Sequence, residues 1–129
     1  MDKPRILLVD DEIHIRLIIK AYFAPYEADI VEARNGKEAL SAMEKQNPDL
    51  LVLDYSMPIM TGRDVLSKML EDENLRKIPV IVYTAGGFDA DTGAWLKKMS
   101  SVFLEKTNLG DDLIPTAKEI LGDRLKNKA

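Results

Sequence analysis

Two acids, Asp10 and Asp11, and then Glu12, follow the apolar run 6–9 (ILLV) without a break. Asp54 closes a second apolar run, 50–53 (LLVL), in the same way. Thr84 closes a third, and Lys106 follows a fourth. A buried strand cannot carry adjacent charges inward without a partner for them. These groups therefore face water or surround something positive. If the runs 6–9 and 50–53 are neighbours, three carboxylates share one pocket, and each like-charge pair at ~4 Å repels by ~1–4 kcal/mol. A divalent cation removes that penalty. The chain has no cysteine and one histidine, so an all-oxygen site for a hard cation such as Mg²⁺ is the natural reading. An ammonium, a hydroxyl and a metal ion are what a phosphoryl group needs to spread its charge. In such a site Asp54 is a candidate nucleophile, forming an acyl phosphate.

The elements that must position these groups alternate along the chain. Strands are expected over 5–9, 28–33, 50–54, 79–84 and 101–105. The third is apolar on both faces, as a central parallel strand should be. Ile13, Leu17, Ile18 and Ala21 recur at helical spacing until Pro25. Asn35 with Glu38 three residues later suggests a capping box ahead of Ala39, Leu40 and Met43, and Asn47-Pro48 ends that helix. Val65, Leu66, Met69 and Leu70 mark a third helix. A fourth, near Asp89 to Met99, has a poor apolar stripe. Leu113, Ala117, Ile120, Leu121 and Leu125 define a fifth. Five βα units predict an α/β, doubly wound, five-stranded parallel sheet with five helices on its two faces. In such sheets ligands bind beyond the carboxyl ends of the strands. Asp10, Asp11, Asp54, Thr84 and Lys106 all fall there.

The bulk properties agree. A chain of 129 residues with 46% hydrophobic residues suits one domain, 1–129, with a core over about 5–125 and a short basic tail, KNKA, read as solvated. A net charge of −4 speaks against a nucleic-acid partner. No apolar run approaches the ~18 residues needed to span a bilayer, and the N-terminus lacks a signal-peptide core, so the expected compartment is the cytoplasm.

The set "VDDE", "LDYSMPIMTG", "VYTAGG" and "FLEK", each after its own strand, resembles the receiver domain of two-component response regulators over essentially the whole chain. The resemblance implies a flavodoxin-like sheet of strand order 2-1-3-4-5. It implies Asp54 as phosphoacceptor, Asp11 as direct Mg²⁺ ligand, Asp10 assisting through water, and the Ser56 backbone carbonyl as a further ligand. It implies Lys106 as the phosphoryl-binding lysine, Thr84 as the switch hydroxyl, and Phe103 as the aromatic that follows it. Met57-Pro58 and Gly62 shape the loop after the phosphoacceptor, with Gly62 expected to serve a turn. The implied partners are a sensor histidine kinase or histidine phosphotransfer protein and a downstream protein target, with the domain a monomer or weak dimer. No room for a DNA-binding module follows the fifth helix, so output by protein contact or onward phosphotransfer is expected.

One departure from the family pattern is Thr107, where most receivers carry Pro after the lysine, commonly in a cis peptide. A cis bond before Thr costs ~2.5–4 kcal/mol, against ~0.5–1 before Pro, so this loop is either trans and differently shaped or strained. Ser56 and Gly86, both small, leave an open path for water to phosphorus. Gly86-Gly87 predicts a loop that leaves helix four mobile. Each residue also has a plainer reading. An acid pair after a strand can simply favour a helix N-terminus, Thr84 can end a strand, and Phe103 can be core. His14 reads as a surface residue or a contact for the phosphodonor, Ile15 as an exposed apolar docking point, and Trp95 as either packing or partner contact. Two rival functions stay open, a Mg²⁺-dependent phosphohydrolase and a receiver-like scaffold without phosphorylation. Ser56, in place of a second catalytic Asp, weighs against the first, and the complete acid–Asp–Thr–Lys set against the second.

Overall fold

The computed structural model describes residues 3–86, 89–99 and 102–129. Strands β1 (Arg5–Val9), β2 (Asp29–Ala33), β3 (Leu50–Asp54), β4 (Val80–Thr84) and β5 (Val102–Glu105) form one parallel sheet. Its spatial order is β2-β1-β3-β4-β5, the 2-1-3-4-5 arrangement expected. Helices α1 (Ile13–Phe23), α2 (Gly36–Gln46), α3 (Gly62–Leu70), α4 (Ala90–Lys98) and α5 (Leu109–Leu121) connect and follow the strands. Alternate strand residues serve opposite layers. Leu7, Val9, Leu51, Leu53, Val80 and Val82 pack with buried residues of α2, α3 and α4. Ile6, Leu8, Leu50, Val52, Ile81 and Tyr83 pack with those of α1 and α5. Every residue of β3 is buried, which explains its continuous apolar run.

Asn35 caps α2 as expected, its side chain accepting from the Glu38 N–H at 2.8 Å. The reciprocal half of the box is absent, because the Glu38 carboxylate instead accepts from the Arg34 N–H and guanidinium, at 2.9 and 2.8 Å. Asn47 ends the helix with φ +47°, a left-handed cap that Asn tolerates. A complete capping box appears on α3 instead, between Thr61 and Asp64. Asp89 caps α4 by accepting from the Thr92 N–H at 2.7 Å.

Three expectations are corrected. The buried face of α1 is Arg16, Ile19 and Phe23, with Ile15 half-buried against the same layer. Ile13, Leu17, Ile18 and Ala21, which recur at helical spacing, are exposed, and Ile15 is not the exposed point expected. The helix is apolar on several faces, so spacing alone left its rotation open, and the buried arginine, which has partners inside, sets the phase. Leu70, at the last position of α3, is likewise exposed. Finally, α5 stops at Leu121, where Gly122 takes φ +58°. Leu125 is buried beyond it. Lys126–Asn127 of the tail pair antiparallel with Tyr26–Glu27, and the Lys128 N–H donates to the Pro25 carbonyl at 2.8 Å. Among the described residues no helix is long and apolar enough to cross a membrane.

Candidate functional site

The carboxyl ends of the strands bring the acids of β1 and β3 together. One carboxylate oxygen from each of Asp10, Asp11 and Asp54 lies within 4.8 Å of the others. Asp10 is fully buried and Asp54 nearly so, while Asp11 is exposed at the mouth.

Asp10 is held from three directions. Its Oδ1 accepts from the Glu12 N–H at 2.8 Å, and its Oδ2 accepts from the Tyr83 hydroxyl at 2.5 Å. Its backbone carbonyl accepts from Arg16 Nη1 at 2.7 Å. Buried Arg16 also pairs through Nε with Glu32 on β2 at 2.9 Å, and Lys20 takes the other Glu32 oxygen at 3.1 Å. Burial raises the Glu32 carboxyl, but the Arg16 and Lys20 bonds outweigh it and hold the group below its ordinary range. The turn from β1 into α1 is thus pinned to β2 by a satisfied polar network.

Asp54 has a different environment. Its Oδ1 accepts from the Ser56 N–H at 3.0 Å. Burial first, with the charges of Asp10 and Asp11 adding, pushes its carboxyl up to about 7, against the opposing Ser56 bond and Lys106. Crowded carboxylates, an all-oxygen donor set and a neutralisable charge fit a hard divalent cation.

The other expected residues are at the same edge. Thr84 is buried, and its hydroxyl lies 3.3 Å from Ser56 Oγ, joining the loop after Asp54 to the end of β4. Lys106 Nζ is 4.0 Å from Glu12 Oε1 and 6.0 Å from the Tyr83 ring centroid. Among the described residues no ion pair joins it to Asp54; its charge reaches Asp54 only at longer range. Phe103 is half-buried against the layer containing α2, α3 and α4. Lys106–Asn108 form a single 3-10 turn leading into α5, and no described peptide bond is cis; the Lys106-Thr107 loop is the trans alternative. His14 is exposed. Trp95 is half-buried in the core layer with the Arg63 guanidinium 4.5 Å from its ring centroid, which accounts for it as packing. Gly87 lies outside the described residues.

The loop after Asp54 depends on two backbone features. Gly62 has no positive φ; it is needed for close approach. A Cβ there would sit 2.7 Å from Tyr55 Cα and 2.8 Å from the Asp54 carbonyl oxygen, both backbone atoms. Gly62→Ala is expected to cost about 1–3 kcal/mol, read as a lower urea midpoint, and to displace the segment that carries Asp54. The left-handed position in this loop is instead Ile59, with φ +69° and a fully exposed side chain. A β-branched residue is strained there. Ile59→Asn is expected to raise the urea midpoint, by about 1 kcal/mol in stability; a fall would contradict the strain.

Three contributing residues escaped sequence reasoning. Tyr83 ends an apolar run, and its hydroxyl, which needs a partner when buried, was the available signal. Arg16 was hidden among the apolar residues of α1. Glu12 had no role beyond its place in the acid run.

A doubly wound sheet with an acid pocket at the carboxyl ends of its central strands defines the class. The response regulator receiver domain model matches residues 6–118. The chain belongs to this family. It is 31% identical over 126 residues to the polar-differentiation response regulator DivK of Brucella anthropi, covering 95% of this chain and 99% of that protein. It is 39% identical over 88 residues to sporulation initiation phosphotransferase F of Bacillus subtilis, covering 67% and 68%. It also matches a probable transcriptional regulator of Cyanophora paradoxa at 37% identity over 91 residues, which span 70% of this chain but only 37% of that longer protein. The signal receiver domain of a LuxO repressor protein from Vibrio parahaemolyticus superposes with a TM-score of 0.85 at 30% identity, covering 95% of this chain and 92% of that one.

Proposed function

We propose that this receiver is a phosphorylation switch in which Asp54 accepts a phosphoryl group from a phosphohistidine on a sensor histidine kinase or histidine phosphotransfer protein. The observation that carries the reading is the convergence of Asp10, Asp11 and Asp54 within 4.8 Å. In this reading Asp54, Asp11 and the Ser56 backbone carbonyl would hold Mg²⁺, with Asp10 assisting through water. The cation would supply charge neutralisation to the phosphoryl oxygens.

Asp54 attacks phosphorus with a carboxylate oxygen as the phosphorus–nitrogen bond to the donor imidazole breaks, and the electron pair leaves with that nitrogen. The Ser56 N–H orients Asp54 by holding its Oδ1. Lys106 must leave Glu12 to meet the phosphoryl oxygens, and a contact of 4.0 Å to an exposed carboxylate is weak enough to give up. Thr84, already within 3.3 Å of Ser56, turns its hydroxyl to the same group. That shift biases the loop and the face formed by α4, β5 and α5, with Phe103 following. The output is a protein contact or onward transfer in a relay. The name of the Bacillus subtilis relative favours the relay by similarity alone. The chain as a single domain, with no nucleic-acid contact and no stable oligomer, belongs to the same proposal.

Incubation with acetyl phosphate and Mg²⁺ tests it by intact mass. One phosphoryl group per chain supports the switch. Sustained turnover of phosphate esters would instead mark a hydrolase. Absence of modification from both acetyl phosphate and a phosphorylated histidine protein would leave a scaffold.

A further inference from the structure

Among the described residues, Tyr83 reaches both arms of the site. It lies in β4 in register with Asp54 on β3, is fully buried, and extends its hydroxyl to Asp10, the residue after β1. The face of its ring approaches the Lys106 ammonium, at 6.0 Å from the centroid. An apolar residue would fill the same space, so the hydroxyl is what needs explaining. Its partner is the most buried of the three acids. With the Glu12 N–H on Oδ1 and the Tyr83 O–H on Oδ2, both Asp10 oxygens are fixed while each keeps a free lone pair.

We infer that Tyr83 is a positioning residue for the cation site, holding Asp10 in the orientation from which its remaining lone pairs receive the cation's water. This rests on the Mg²⁺ reading above. Partners of this kind, one bond removed from a metal, orient the ligand groups, and their loss typically weakens binding 10–100-fold. The ring itself packs among the apolar residues of the layer containing α1 and α5.

Tyr83→Phe keeps the ring and removes only the hydroxyl. Calorimetric titration with Mg²⁺ alone is expected to give a dissociation constant raised about tenfold relative to the wild type. A purely structural tyrosine predicts a lower melting temperature with the dissociation constant unchanged, and that result, or tighter binding, overturns the inference. Wild-type protein titrated in parallel separates the two levels. If it binds no Mg²⁺, the cation reading itself fails; if it binds and the variant matches it, only the role of Tyr83 fails. A second measurement needs no variant. In wild-type protein with isotope-labelled tyrosine rings, Mg²⁺ is expected to shift the Tyr83 hydroxyl-carbon resonance and leave those of Tyr22 and Tyr26 in place. An unmoved Tyr83 resonance at saturating Mg²⁺ contradicts the proposal.

Discussion

On the proposed switch, Asp54→Asn is expected to take up no phosphoryl group under conditions expected to modify the wild type stoichiometrically. The substitution preserves shape and keeps an oxygen for the Ser56 N–H, which lies 3.0 Å from Asp54 Oδ1. The fold and the loop therefore survive. What is lost is the nucleophile, because a neutral amide oxygen does not attack phosphorus at a useful rate. It also removes one of the three acids that share the pocket, so cation affinity falls with it. Asp11→Asn separates these effects. It leaves the nucleophile in place and is expected to slow uptake at low Mg²⁺, with recovery as Mg²⁺ is raised. Intact mass after timed exposure to acetyl phosphate reads both variants. Full modification of Asp54→Asn would place the acceptor elsewhere.

The same substitution has the opposite effect on stability when divalent cations are removed. Burial and the charges of Asp10 and Asp11 raise the folded Asp54 carboxyl from 3.8 to about 7. Below pH 3.8 the group is protonated folded and unfolded, and it costs nothing. Between 3.8 and about 7 the unfolded chain releases the proton while the folded chain keeps it, so stability falls as pH rises. Above that the full penalty stands. At about 1.4 kcal/mol per pH unit its ceiling is roughly 4 kcal/mol. In EDTA, Asp54→Asn is therefore expected to be more stable than wild type at pH 8, by up to that amount, and equal to it near pH 4. Saturating Mg²⁺ narrows the gap, since a ligand at 100 times its dissociation constant adds about 2.7 kcal/mol to the form that binds it. Urea melts at the two pH values, with EDTA and with Mg²⁺, check the pattern. A gap that persists at pH 4, or a wild type more stable than the variant in EDTA at pH 8, contradicts it.

The strands were the most legible part of the fold. A run such as LLVLD is apolar on both faces because both faces of β3 are covered, and its acid marks where the sheet meets solvent. Asp10, Asp11, Asp54, Thr84 and Lys106 follow from that logic to one edge. Helix α1 was less legible, since its apolar residues outnumber those its inner face can hold. The charged Arg16, not the isoleucines, decides the phase through Asp10 and Glu32. Gly62 shows a second limit. Its need is set by how closely two backbone segments approach, which no local pattern encodes. The left-handed residue fell three positions earlier, on Ile59. The pairing of Lys106 with Glu12 and the reach of Tyr83 to Asp10 are contacts between different strands and loops, visible only once the sheet order places them side by side.

The central claim is that Asp54, in a pocket of carboxylates that takes a divalent cation, is where the phosphoryl group is carried. Borohydride reduction of the phosphodonor-treated protein, followed by peptide mass mapping, reports this directly, because only an acyl phosphate is reduced and the reduced aspartate becomes homoserine. Homoserine is expected at position 54 alone, formed with Mg²⁺ and absent in EDTA. Homoserine at another aspartate, or the same yield at position 54 without the cation, would contradict the account.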